Sequence, residues 1–270
     1  MQRTLTVLLD LLCPTEEENL LRKTPPIVLG LLASVVFTGG AVAQAPEPSH
    51  TLQMGVTPSK AGTAKNPKAL TKLKLSITND KAAKTTASKI EISLPKTIRF
   101  NTKGFTTCSA AKLDAEGPAG CSSKSRLGVG TASAVLGPTS PTPAPLEFKN
   151  TFFVGSATTL NIFLEQTGGD VRKLLIGKIS NAGGKYGQKL SIAIPGDLQQ
   201  PVPGTYSALS DIATSLSGTA GSGSKKHGIL ESRGCVGGKY AFQSKLTYAP
   251  NPDRPAARTS TATDTVSCKK

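Results

Sequence analysis

In the stretch "LTKLKLSITND", Leu73, Leu75 and Ile77 alternate with Lys72, Lys74, Ser76 and Thr78, the two-residue period of a strand with one buried and one wet face. "SKIEISLPKTIRFN" repeats the pattern, with Ile90, Ile92 and Leu94 on one face and Lys89, Glu91 and Ser93 on the other. Pro95 ends that strand or marks a sheet edge, because it cannot donate to a ladder. "SRLGVGTASAVLG" reads as a further short strand rich in small residues, and "FKNTFFVG", "TLNIFLEQ", "KLLIGKIS" and "KLSIAIPG" as four more, separated by Gly-containing turns. Near the end, Tyr240, Phe242, Leu246 and Tyr248 share one parity, the turn signal Pro250 to Asp253 follows, and a Thr-rich return strand completes a hairpin. "ALSDIATSL" fits a short helix or a strand equally well. No long apolar stripe of helical period occurs, so the pattern predicts an all-β chain.

Short strands at about ten-residue spacing with turn signals between them point to β-sandwiches. "GPTSPTPAP", Gly137 to Pro145, holds four prolines in nine residues and reads as a stiff linker. The expectation is therefore two immunoglobulin-like β-sandwich domains in tandem, residues 44–137 and 146–270, joined by a Pro-rich linker at 138–145.

Ahead of them, "RKTPPIVLGLLASVVFTGGAVAQA" has two cations, an apolar run and Ala41-Val42-Ala43, the layout of a secretory signal peptide cleaved after residue 43. Its n-region, residues 1–24, is long and carries Glu16 to Glu18, which suggests translation starting near Leu20. Export leaves four of the five cysteines, Cys108, Cys121, Cys235 and Cys268, an even number that implies two disulfides. Three connectivities are open. The position midway between Cys235 and Cys268 falls in the turn of the terminal hairpin, which would set these two face to face at its base. Cys108 and Cys121 bracket "SAAKLDAEGPAG", whose Gly-Pro turn brings the loop ends together, so pairing within the loop is the simplest assignment.

The segments "LPKTIRFNTKGFTTCS", "GPAGCSSKSRLGVGTA", "GILESRGCVGGKYAFQSKLTYAP" and the final "VSCKK" resemble a group of uncharacterised secreted bacterial proteins over most of residues 85–270. The resemblance implies an exported β-sandwich with local cysteine pairs, and no activity or catalytic residues.

Charge adds more than the motifs do. Residues 1–43 hold three of the 32 cations and four of the 17 acids, so the exported chain carries 29 against 13, a net +16. Between Pro58 and Lys112 stand twelve cations and only Asp80 and Glu91, and the alternation turns Lys72, Lys74 and Lys89 outward. These three lysines are the candidate polyanion-binding residues, with an anionic cell-envelope polymer or acidic polysaccharide as the expected partner. Specific nucleic-acid binding is not expected, since the run is poor in Arg and has no interleaved aromatics. Once the leader is removed, no transmembrane span is expected.

Catalytic motifs are weak. G-x-S-x-G is missing, the phosphate-loop spacings fail, and His227 is the only sensible base for a hydrolytic triad. The acid pairs Asp114/Glu116 and Glu165/Asp170 read as solvated loop residues, and no C-x-x-C supports zinc. Neither a metal nor a cofactor is expected. The reading is a non-enzymatic exported protein in adhesion or scaffolding at the cell envelope. Its alternatives are a carbohydrate- or polymer-binding module, against which the absence of Trp counts, and a secreted hydrolase.

Overall fold

A computed structural model describes residues 46–252 and 255–270. The expected leader, with Cys13, lies outside the described residues. The chain runs β1 (His50–Thr57), β2 (Lys68–Leu70), β3 (Lys72–Asn79), β4 (Thr86–Pro95), β5 (Ile98–Phe100), α1 (Ala110–Glu116), β6 (Arg126–Leu136), β7 (Ala144–Ser156), β8 (Thr159–Gln166), β9 (Arg172–Asn181) and β10 (Tyr186–Ala193). It continues through α2 (Gly196–Gln199), β11 (Ser207–Leu216), β12 (Thr219–Ala220), β13 (His227–Gly228), β14 (Leu230–Ser232), β15 (Lys239–Ala249) and β16 (Arg258–Ser267).

The all-β expectation holds, but in place of two sandwiches there is one eleven-stranded antiparallel sheet, ordered β1-β3-β11-β6-β7-β8-β9-β10-β4-β15-β16. Its strands come from both halves of the chain: β4 pairs with β10 and β15, and β3 pairs with β11. The Pro-rich segment is a hairpin loop. Leu136 faces Ala144 directly across it, and β6 and β7 form one continuous ladder. The prolines break the chain only where a turn was needed, and Pro145 stands within the end of a strand.

The sheet curls until its first and last strands lie side by side. Eleven strands that alternate in direction must end with the two edge strands parallel, and they do: His50 lies against Ser260, Met54 against Asp264 and Lys60 against Lys269. The seam is joined by the Met54 N–H donating to Asp264 Oδ2 at 2.6 Å and, past the strand ends, by the Ala61 N–H donating to the Lys269 carbonyl at 2.8 Å. The near closure sets the two edge strands against each other without a continuous ladder, and so shields edges that would otherwise invite association.

One end of this barrel is covered by a small sheet, β2-β14-β5, whose Leu70, Leu230, Ile98 and Phe100 are buried. That closed end is where β1, β11 and β7 finish and β6 and β15 begin. On the flank, α1 is capped by the Ser109 hydroxyl, which accepts from the Lys112 N–H, and seats Leu113 against Phe153 and Phe163. This helix occupies the Cys108 to Cys121 loop, and Cys108 is bonded to Cys121 across it.

Cys235 is bonded to Cys268. The hairpin register differs from the simple count, because Lys239 faces Ser267 and Tyr240 faces Val266, so the ladder centres near residue 253. Gly237 and Gly238, with φ of 62° and 73°, make a tight left-handed turn that brings Cys235 back to Cys268, and the Cys268 N–H donates to the Gly238 carbonyl.

Candidate functional site

Along β6, β7, β8 and β10 the even-numbered side chains point into the barrel: Ala132 and Ala134, Phe148 and Phe152, Ile162 and Leu164, Leu190 and Ile192. Near the closed end they meet the opposite wall and leave only a void of about 60 Å³. Toward the other end they do not, partly because β6 presents alanines where its neighbours present Phe and Leu. The result is a cavity of about 570 Å³, walled by β4, β6 to β10 and β11.

Six of the described residues lining it are polar, Ser133 among them with its hydroxyl turned to the outer face. Ser133 donates to Glu147 Oε2 at 2.6 Å, and Ser207 donates to the Leu198 carbonyl. Lys173 and Asp197 form an ion pair in which both side chains remain partly exposed. Gln166 stands beside them at the rim. Asn150 lies deeper and is 97% buried, with no partner for its Oδ1 among the described residues. Thr214 Oγ1, also without a partner, leans toward it over Gly130, where a Cβ would come within 2.5 Å of both oxygens.

The mouth is crossed by the connection between β10 and β11, strands that are five places apart in the sheet. This strap carries α2, Leu198, Pro201 and Val202 over the opening, and Val202 is half exposed there. It is held by the Ile194 N–H donating to the Ser88 carbonyl, by Ser207 and by the Lys173–Asp197 pair.

The other half of the interior is filled. β4 and β11 touch across the barrel and divide it. Beyond them His50 Nδ1 lies 2.6 Å from Ser260 Oγ and its Nε2 lies 2.7 Å from Ser244 Oγ. Tyr248 OH, 2.7 Å from Ser260 Oγ, donates to Asn79 Oδ1 at 2.8 Å. Burial holds the His50 imidazole below its ordinary pKa and pushes the Tyr248 phenol up, so both are neutral at pH 7.

Neither histidine assembles a hydrolytic site among the described residues. His50 sees only hydroxyls, and both ring nitrogens of His227 face backbone carbonyls, those of Lys225 and Lys103. Asp114 and Glu116 are exposed on α1. No group of three or more His, Cys, Asp or Glu among the described residues could hold a metal ion.

The three candidate lysines are not brought together. Lys72 and Lys74 project from β3 toward the closed end, opposite Thr57 and Gly55 of β1. Lys89 stands near the start of β4, toward the open end, with β1, β16 and β15 between, and pairs with Glu91 at 3.1 Å. Burial opposes ionisation of Glu91, but hydrogen bonds from Lys189 and Lys89 outweigh it and hold the carboxyl below its ordinary value.

What the structure does collect is charge at one end. Exposed Lys60, Lys72, Lys124, Lys185, Lys239 and Lys269 all stand around the closed end. Its one acid among the covering strands, Glu231, is buried and bonded to Arg99 at 3.0 Å. Asp80, Glu147, Glu165, Asp170, Asp197 and Asp211 lie in the open half, where they balance the cations there. Among the described residues no helix is long and apolar enough to cross a membrane.

Compared with known protein families, with curated proteins and with solved structures, the chain matches none.

Proposed function

We propose that this is an exported binding protein that takes up an apolar small molecule in the open half of its barrel. The cavity carries the reading. Folded interiors normally contain few voids larger than a water molecule. An apolar space of about 570 Å³, left dry, would cost, at roughly 24 cal/mol per Å³, on the order of a domain's whole net stability. A ligand that fills it removes that cost, and the volume falls within the range of roughly 300–1,000 Å³ usual for small-molecule sites. The two disulfides suit an oxidising compartment.

The test is titration with the neutral apolar fluorophore N-phenyl-1-naphthylamine. Wild type should enhance its emission saturably. Ala132→Phe, which projects a ring into the void, should weaken binding at least about tenfold, the equivalent of ~1.4 kcal/mol. Equal binding by the two proteins, or none by either, defeats the proposal.

The segregation of charge favours a second role in the same molecule. Its basic closed end would adhere to an anionic polymer of the cell envelope or an acidic polysaccharide, which assigns the adhesive surface to an end of the barrel rather than to a strand face.

A further inference from the structure

We infer that the ligand is an amphiphile with a carboxylate head, bound tail first, and that Lys173 at the cavity mouth receives the head. The inference rests on the binding role proposed above and extends it to the class of ligand.

Among the described lining residues Lys173 is the one cation and Asp197 the one anion, and they are paired with each other. Their supports differ. Lys173 stands on β9, whose ladders to β8 and β10 fix it within the wall. Asp197 stands on the strap, in a four-residue helix held at its edges by a few hydrogen bonds. The strap spans the mouth and is held less firmly than the wall, so a ligand entering beneath it displaces the strap first, and that displacement takes Asp197 away from Lys173. A ligand carboxylate that takes its place leaves the number of ion pairs at the rim unchanged, with Asp197 released toward water. An amine head would have to follow Asp197 on the displaced strap and leave Lys173 unpaired against the wall.

The direction of insertion follows from the deeper lining. Below the rim the only polar groups among the described residues are Asn150 and, across Gly130, Thr214, neither of them charged. A carboxylate carried into that region would be desolvated with no cation to meet it, so the tail goes in and the head stays at the rim.

The experiment displaces N-phenyl-1-naphthylamine from the full exported chain with hexadecanoate, hexadecanol and hexadecylamine. Hexadecanoate should bind tightest to wild type. Lys173→Gln should weaken it by roughly three- to fivefold and leave the alcohol unchanged, the size expected of a partly exposed ion pair. Asp197→Asn, which frees Lys173 while keeping the side chain's shape, should tighten hexadecanoate by a similar factor. The inference is overturned if the three chains compete equally, if the amine binds best, or if the alcohol responds to both substitutions as the acid does. In each of those outcomes chains still enter the cavity, so the binding role stands. Failure of every chain to displace a bound fluorophore from wild type overturns the inference as well, whereas the binding role falls only if the fluorophore itself does not bind.

Discussion

Burial keeps His50 neutral, and donor arithmetic fixes its tautomer. Asn79 gives its amide hydrogens to the Leu209 carbonyl and Thr85, which leaves Oδ1 to accept from Tyr248. With its own hydrogen committed, Tyr248 accepts from Ser260, Ser260 accepts from His50 Nδ1–H, and Nε2 accepts from Ser244. A second proton would place a charge in a desolvated pocket with no carboxylate beside it among the described residues. The folded pKa therefore lies below the ordinary 6.5, and below that pH the unfolded chain takes up a proton that the folded one resists. Stability should be flat above pH 6.5 on this account and fall as pH drops beneath it. In His50→Gln the melting temperature should be lower at pH 7.5, by the equivalent of ~1–3 kcal/mol for a disturbed buried network, and should fall less between pH 7 and 5.5. Parallel pH curves for the two proteins would show that His50 does not titrate across folding.

Among the elements, the terminal hairpin shows how its bond acts. Cys268 follows directly on β16, and the bond to Cys235 ties the chain end to the turn that opens β15. Removing it with Cys235→Ser and Cys268→Ser frees a loop of about 33 residues, worth roughly 3–4 kcal/mol in the chain-entropy view. Amide exchange should accelerate first in β16, since its outer side is the seam and has few backbone bonds of its own. Uniform acceleration across the sheet would argue against local fraying.

Strands were legible where inward and outward residues contrast, as in β3, β4, β8 and β15. β1 carries a weaker signal, because its first inward position is a histidine and its other face includes Gly55, a poor strand former. On β6 the inward positions are Gly128, Gly130, Ala132 and Ala134, too small to signal a buried face, so the proline run beside it resembled a boundary. The pairings that merge both halves, β4 with β10 and β11 with β3, join residues more than 90 positions apart, and no local period encodes them. The cavity was hidden for the same reason, since its walls meet only after those pairings form. The charge excess was plain in the sequence, but its sorting was not: Lys72 and Lys89 are near in sequence and stand toward opposite ends of the barrel.

At the scale of the whole molecule the ends differ in kind, one shut and basic, the other open and nearly balanced. If the basic end makes the contacts, Lys60, Lys72, Lys124 and Lys239 changed together to Gln should release the protein from a heparin column at clearly lower salt. With roughly 0.7–0.9 counterion released per contact, four lost contacts should flatten the plot of log affinity against log salt by about 3. Changing Lys81, Lys84, Lys149 and Arg258 of the open half should do much less, and equal effects from the two sets would mean that net charge alone is at work. This sorting of charge also gives the protein an electric dipole moment roughly along the barrel axis. Within a Debye length of a negatively charged wall, about 8 Å in physiological salt, the field should rotate the molecule before it touches. It would settle with its back to the wall and its opening toward the surrounding medium, from which the cargo must come.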